Sequence, residues 1–132
     1  MILKGDSVNV GANRSMIIEF LTKPSNLEHL LPMEKVKDFV SDETSCSFKV
    51  QGGFIIALVQ DGSEEDKVFL KSGEKSPFPF KLAIHLVEQE EKKTEVHISF
   101  DGEVNAFLKM MVEKPLLSLF NYMSNKLSKH FS

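Results

Sequence analysis

Apolar and polar residues follow two different periods along the chain, and the changes of period predict where its elements begin and end. Near the start, Val8 and Val10 alternate with polar residues, as in a strand with one buried face. Residues 2–10 therefore predict a first strand, which Gly11 ends.

The segment IIEFLTKPSNLEHLLP (residues 17–32) predicts two short helices in succession. Its apolar residues recur at helical spacing, but one proline interrupts the segment and another closes it. The residue before a proline avoids helical geometry, so each proline ends a helix. Asn13 is placed to cap the first helix, and Ser25 or Asn26 the second.

From residue 36 the apolar period changes to two, which predicts, with the first strand, a sheet of about six to seven strands. The polar run DGSEED (residues 61–66) is expected to be a solvated loop. Two later strands, joined by the polar run EQEEKKT (residues 88–94), form the clearest hairpin. Their even-numbered apolar residues should face inward, which places His85 and His97 on the outer face, and a loop centred near Glu91 would set the two histidines opposite each other.

After these strands the helical period returns and predicts one long helix, capped by Asn105 and ending at about Phe131. Pro115 lies inside it and removes a backbone hydrogen bond. We therefore expect a kink or break at about residues 109–113. The apolar stripe of the helix consists of Leu108, Met111, Val112, Leu116, Leu119, Phe120, Met123 and Leu127.

Composition and charge narrow the class of protein. With 132 residues, 42% hydrophobic and 27% charged, the chain is expected to form a single domain, residues 1–132, with its own core. The net charge of −3, with both signs interspersed, argues against nucleic-acid binding, which needs a concentrated basic surface. No apolar run approaches the length of a membrane span, and the one cysteine, Cys46, excludes an internal disulfide. We expect a cytoplasmic protein with no integral membrane segment, whose oligomeric state the sequence does not determine.

The order of elements predicts how they pack. An antiparallel sheet with one apolar face needs another element across that face, and the C-terminal helix is the longest one available. That helix would span roughly 35–40 Å, more than one strand, so a twisted sheet would curl around it and leave space between them. The two short helices would close one end of this space. The predicted fold class is α+β, a curved antiparallel sheet wrapped around a long C-terminal helix.

This arrangement resembles the START/polyketide cyclase/birch-pollen-allergen-like superfamily, whose fold is called helix-grip. The resemblance rests on the first strand, on residues 17–32, and on the tail NAFLKMMVEKPLLSLFNYMSNKL (residues 105–127) with its internal Pro115. Many members carry tryptophan where this chain has Leu30. The resemblance covers the whole chain, although only its two ends are specific. The matching residues of the first segment are Ile17 or Ile18, Phe20, Leu21, Thr22, Pro24, Asn26, Leu30 and Pro32.

The resemblance implies a cavity between the sheet and the long helix that holds a small apolar or amphipathic molecule. Members include cyclases, dehydratases, lipid carriers, quinone-binding proteins and a branch that activates a chaperone, so no single activity is implied. The predicted ligand-binding residues are apolar residues of the strands and of the first turns of the long helix. They are Phe39, Phe48, Ile56, Leu82, Ile98, Phe100, Phe107, Leu108 and Met111.

Candidate chemistry outside this cavity is sparse. The sequence has no glycine-rich phosphate loop, nucleophile elbow or paired zinc-ligand spacing, so we expect no catalytic residue, metal or cofactor. His85 and His97 could begin a metal site with Glu95 or Asp101 nearby, but all four share the solvent face, which favours a hydrated surface pair. Cys46 has the parity of a buried residue and is expected to behave as a small hydrophobe.

The sequence leaves three functions open. The first is a non-catalytic carrier or binding module for a small hydrophobic molecule; enzymatic activity is uncertain and less favoured. The second is a cyclase- or dehydratase-type enzyme that acts on a polyketide-like or aromatic substrate and needs an ionisable residue on an inner face. The third is a protein-interaction module with a filled cavity and an exposed apolar patch.

Overall fold

A computed structural model of the chain describes residues 1–50 and 52–132. The strands are β1 (Ile2–Lys4), β2 (Val8–Val10), β3 (Lys37–Ser41), β4 (Ser45–Lys49), β5 (Ile55–Glu64), β6 (Lys67–Ser72), β7 (Phe80–Glu90) and β8 (Lys93–Gly102). The helices are α1 (Arg14–Leu21), a 3₁₀ helix (Pro24–His29) and α2 (Ala106–His130).

The strands form one antiparallel sheet in the order β1-β8-β7-β6-β5-β4-β3, and β2 also pairs with β8. Helix α2 packs against β1, β2 and β8, α1 lies against β6 and β7, and the 3₁₀ helix lies against β3, β4 and β5. The residues that these elements bury form one hydrophobic cluster. The predicted α+β helix-grip fold is confirmed.

The sheet has eight strands, because a register shift on β8 divides the first predicted strand into two. Leu3 of β1 pairs with Phe100, whereas Val8 of β2 pairs with Val96, so the two strands differ by one residue in register. A shift of one residue exchanges the two faces of a strand. As a result the odd-numbered Leu3 and the even-numbered Val10 are both buried.

The register predicted for the hairpin of β7 and β8 is confirmed. His85 pairs with His97, and the even-numbered apolar residues of both strands are buried on the opposite face of the sheet. Thr94 is a buried polar residue of this inner face, and its hydroxyl donates to the carbonyl of Ala12 at 2.9 Å. The inner face therefore carries a polar group only where the group has a partner.

The polar run at residues 61–66 does not form the predicted loop, because β5 continues through most of it. The pairing of β5 with β6 is interrupted by a register shift between Gln60 and Ser63. Gly62 lies within this interruption with a φ of +90°. Glycine adopts positive φ without a steric penalty and is common at such bulges. The bulge allows the polar end of β5 to stay paired with β6.

Both α-helices begin at the predicted asparagine caps. The Asn13 side chain accepts a hydrogen bond from the Met16 amide at 3.0 Å, and that of Asn105 from the Leu108 amide at 2.9 Å. Each bond satisfies one of the amides that a helix leaves unpaired at its N-terminus.

The second short helix is a 3₁₀ helix, and its predicted capping by Ser25 or Asn26 is wrong. Its N-cap residue is Lys23, which makes no side-chain capping bond. The Asn26 amide instead donates to the carbonyl of Phe20 at the end of α1, at 2.9 Å. Asn26 therefore holds the turn between the two helices, which brings the 3₁₀ helix against the sheet.

Helix α2 is one continuous element through Pro115, so the break expected at residues 109–113 is absent. A proline removes one backbone hydrogen bond, here the bond to the carbonyl of Met111, and the turns on either side keep their own hydrogen bonds.

In the described part of the chain, no helix combines the length and apolar character needed to cross a bilayer.

Candidate functional site

The predicted ligand-binding residues differ widely in burial. Phe39 and Leu108 are half-buried against the core, whereas Phe107 is 71% exposed and Met111 51% exposed on the first turns of α2. Whether any of these residues contacts a ligand stays a prediction. The fully buried members are Phe48, Ile56, Leu82, Ile98 and Phe100.

The inner face near β8 is packed with aromatic rings. The ring of Phe100 lies 5.3 Å from that of Phe80, 6.2 Å from Phe78 and 6.0 Å from Phe120 of α2, measured between centroids. These distances are those of direct aromatic contact. Sheet and helix are therefore in contact at this end, and an open space between them has to lie elsewhere.

A crevice of about 90 Å³ lies between the middle of α2, the end of β4 and the loop after the 3₁₀ helix. We call it the α2 crevice. Four of its residues lie on α2 at offsets of three, four and seven, which places them on one face of the helix. The crevice is lined by Pro32, Lys35, Val36, Val50, Pro115, Ser118, Leu119 and Tyr122.

The walls of the α2 crevice are mainly apolar. Val36, Val50 and Leu119 are buried residues from the loop after the 3₁₀ helix, from the position after β4 and from α2. Tyr122, 39% exposed, stands at the opening with an apolar ring and a polar hydroxyl. Such a mixture of apolar walls and a few polar groups is typical of small-molecule sites.

Sequence reasoning missed these lining residues. Its candidates followed the inner-face parity of the strands, whereas the α2 crevice is built largely from a loop and from one face of α2. The sequence did contain signals: of the three prolines that end or interrupt a helical pattern, Pro32 and Pro115 line the crevice. Tyr122, the one tyrosine of the chain, was a third.

A wider, open hollow of about 410 Å³ adjoins the α2 crevice. We call it the lysine hollow, because Lys35, Lys37 and Lys49 line it and all three are exposed. It shares Lys35 and Val50 with the crevice. An apolar recess and a cationic surface therefore meet along one edge.

The two histidines of the hairpin stack on the outer face of the sheet. The ring centroids of His85 and His97 lie 4.3 Å apart, with 5° between the ring planes. Nε2 of His85 and the hydroxyl of Ser99 form a hydrogen bond of 2.9 Å. Within residues 1–50 and 52–132, no group of three or more His, Cys, Asp or Glu side chains is arranged to hold a metal ion.

Both histidines have a pKa below the ordinary value of 6.5. Partial burial is the main cause for His85, followed by the positive charge of Lys67, while Asp66 opposes the shift. Partial burial is also the main cause for His97, followed by His85 itself and Lys4, against Glu95. Both rings are therefore mostly neutral at neutral pH.

These lowered pKa values predict that acid destabilises the fold through this pair. The unfolded chain binds protons more readily than the folded one, so stability is complete above the ordinary pKa and is lost as the pH falls through the folded values. In the double variant His85→Gln, His97→Gln, the decrease in melting temperature from about pH 7.5 to about pH 5.5 should be smaller than in the wild type. Equal decreases in the two proteins would contradict this prediction.

Cys46 is a free, buried thiol with a pKa raised to about 12, first by burial and second by the negative charge of Asp42. Such a thiol stays protonated at neutral pH, and the protonated form is a poor nucleophile. The buried polar side chains of the described residues are Thr94 and Ser124, both hydroxyls.

Comparison with protein families gives a match. The family model of CoxG, a carbon monoxide dehydrogenase subunit, matches residues 7–132. The chain belongs to the CoxG family. No curated protein sequence matches it.

Solved structures similar to this CoxG-family chain share its fold. A START superfamily protein from Mycobacterium smegmatis has a TM-score of 0.73 at 15% identity, with 98% of this chain and 96% of that one covered. Norcoclaurine synthase from Thalictrum flavum has a TM-score of 0.72 at 17% identity, over 98% and 85% of the two chains. The same synthase in complex with dopamine and hydroxybenzaldehyde has a TM-score of 0.66 at 18% identity, over 100% and 88%. These likenesses alone concern the fold, and together with the CoxG family match they confirm the predicted superfamily.

Proposed function

We propose that this CoxG-family protein binds a small apolar or amphipathic molecule at the α2 crevice and does not chemically change it. The observation that carries the proposal is the meeting of apolar walls from a loop, from β4 and from α2 around one open recess. Burial of apolar surface there would drive binding, at about 25 cal/mol per Å² removed from water.

The size of the α2 crevice favours a ligand with a flat apolar part. A cavity of about 150 Å³ takes up a benzene molecule, whereas the crevice measures about 90 Å³. A ring would therefore enter only in part unless the exposed side chain of Tyr122 moves aside. Part of the ligand would stay outside the apolar walls.

The structural relatives support a ligand with an aromatic ring. Norcoclaurine synthase holds dopamine and hydroxybenzaldehyde, both single-ring aromatic molecules, in the same type of fold. The fold alone does not transfer an activity, so this likeness supports the class of ligand and not a reaction.

The absence of a titrating buried group among the described residues favours binding over catalysis. General acid–base chemistry needs a positioned group with a pKa near the operating pH. The Cys46 thiol has its pKa raised to about 12, and the buried hydroxyls of Thr94 and Ser124 do not titrate in this range. A cyclase- or dehydratase-type activity would have to use Lys35 or Tyr122, the two ionisable side chains among the described residues that line the α2 crevice, and both are exposed rather than buried.

A second candidate function is protein interaction, favoured by an exposed apolar surface on the first turns of α2. Phe107, Met110 and Met111 are 71%, 85% and 51% exposed. The family is named after a component of carbon monoxide dehydrogenase, so that enzyme is the partner to consider. Exposed apolar patches of this kind often mark protein contacts.

The proposal also concerns the cellular compartment of the protein and its number of domains. We place the protein in the cytoplasm, because its one cysteine is a free thiol, as is usual in reducing compartments. We treat residues 1–132 as a single domain, because the buried apolar residues form one cluster.

A thermal-shift titration with 2-naphthol, a neutral two-ring probe, tests the proposed function. A ligand that binds only the folded state stabilises it by mass action, by about 1.4 kcal/mol at ten times its dissociation constant. We expect a dose-dependent rise in melting temperature, and no rise with the same concentration of inositol, which lacks an apolar face. Native mass spectrometry of the purified protein should also detect a co-purified small molecule. No shift and no co-purified molecule would contradict the binding function and favour protein interaction.

A further inference from the structure

We infer that the ligand carries an anionic group and that the lysine hollow binds it. This inference rests on the proposed function, because it assigns the charge of a ligand whose apolar part occupies the α2 crevice. The ligand class is an amphipathic anion, with a flat apolar part and a carboxylate or phosphate at one end.

The first supporting observation is a cluster of three lysines without direct ion-pair partners on an acidic chain, although Asp38 lines a neighbouring recess together with Lys49. The net charge is −3, yet Lys35, Lys37 and Lys49 line the same hollow. The ion pairs of the described residues are Arg14 with Glu65 and Lys71 with Asp61, and neither involves these lysines. Although Glu34 and Asp38 neighbour the lysines in sequence, the described structure places no carboxylate within 4.0 Å of their ammonium groups.

The second observation is the shared edge of the two spaces. Lys35 and Val50 line both the α2 crevice and the lysine hollow. Because the crevice is too small to enclose a ring fully, one end of a bound molecule stays outside the apolar walls, and we place that end at this shared edge. A negative charge at that end would lie among ammonium groups, whereas a neutral polar end would gain little from them.

The expected size of the effect follows from the exposure of the lysines. Each interaction between exposed opposite charges changes affinity by about twofold to fivefold. Two or three lysines that surround one anion should together give about tenfold. Salt screens exposed charges, with a Debye length of about 10 Å at 0.1 M and about 3 Å at 1 M. The advantage of the anion should therefore shrink at high salt.

The test compares 2-naphthol with three probes that share its rings: 2-naphthoate, 2-naphthyl phosphate and the protonated 2-naphthylmethylamine. Dissociation constants are measured by titration at neutral pH and low salt. The wild type should bind 2-naphthoate about tenfold more tightly than 2-naphthol, and the ammonium probe less tightly. Tighter binding of the phosphate than of the carboxylate would also support the inference and would identify a phosphate-bearing ligand.

Two variants decide whether the lysine hollow is responsible. In the double variant Lys37→Gln, Lys49→Gln the preference for naphthoate over naphthol, taken as a ratio within that protein, should fall to about twofold. The control variant Lys92→Gln, in the turn between β7 and β8, should keep the wild-type ratio, because Lys92 does not line the hollow.

The outcomes separate this inference from the function on which it rests. Equal binding of naphthoate and naphthol by the wild type would overturn the inference and leave the proposed function intact. An unchanged ratio in the double variant would also overturn it, because the anion would then bind elsewhere. Binding of none of the four probes would overturn both.

Discussion

Replacing Phe100 by alanine should lower the free energy of unfolding by about 3–5 kcal/mol, the range for large aromatic-to-alanine changes in a core. Phe100 is 1% exposed, and its ring contacts rings from β7, from the segment before it and from α2. The truncation removes the buried ring and leaves a cavity that its neighbours fill only in part. Urea denaturation of wild type and variant gives the difference directly.

The matched control for this prediction is Phe107→Ala, which removes the same side chain from a position that is 71% exposed. Its effect on the free energy of unfolding should stay within about 0.5 kcal/mol, as is usual for surface positions. Similar losses in the two variants would contradict the packing described here, since burial would then not determine the cost.

Placing tryptophan at Ser118 should weaken the binding of 2-naphthol by at least about tenfold, or about 1.4 kcal/mol. Ser118 lines the α2 crevice, and its side chain is exposed at the edge of that space. An indole ring at this position would occupy the volume that a ligand ring needs. Because the position is exposed, the fold should tolerate the larger side chain. Titration of folded Ser118→Trp with 2-naphthol provides the measurement.

The control for this variant is Lys109→Trp, which adds the same side chain to the exposed surface of α2. Lys109 lies nine residues before Ser118, about two and a half turns away and therefore on the opposite side of the helix. It does not line the crevice. The control should bind 2-naphthol like the wild type. Unchanged binding by Ser118→Trp would show that the probe binds elsewhere.

The parts of the fold that the sequence predicts are those where one local pattern determines the outcome. The inward face of the hairpin followed from the alternation of apolar residues in β7 and β8, because a slip by one residue would expose all of them, and the polar run centred near Glu91 gave the pairing of His85 with His97. The starts of both α-helices followed from Asn13 and Asn105, because a cap depends on a few adjacent residues.

The parts that could not be predicted depend on contacts between distant segments. The first predicted strand is divided because its two parts pair with β8 in registers that differ by one residue. The sequence of residues 2–10 alone gives no sign of this difference. The polar run at residues 61–66 stays within a strand because a bulge at Gly62 keeps it paired. Apolar Phe107 and Met111 continue the helical pattern, but α2 packs against β1, β2 and β8 and leaves them exposed.

In the candidate site, too, local patterns were predictable and contacts between distant segments were not. Inner-face parity correctly identified core residues such as Phe48 and Phe100, but a core residue and a ligand-binding residue have the same sequence pattern. The α2 crevice arises where Pro32, Val50 and Pro115, far apart in sequence, come together. Only the packing of the loop, β4 and α2 creates that space.

Amide chemical-shift mapping of isotope-labelled protein titrated with 2-naphthol tests most directly whether the α2 crevice is the ligand site. The largest shifts should occur at Val36, Val50, Leu119 and Tyr122, which line the crevice, and His85 on the outer face of the sheet should not shift. Shifts centred on the outer face, or no shifts at saturating probe, would contradict binding at the α2 crevice.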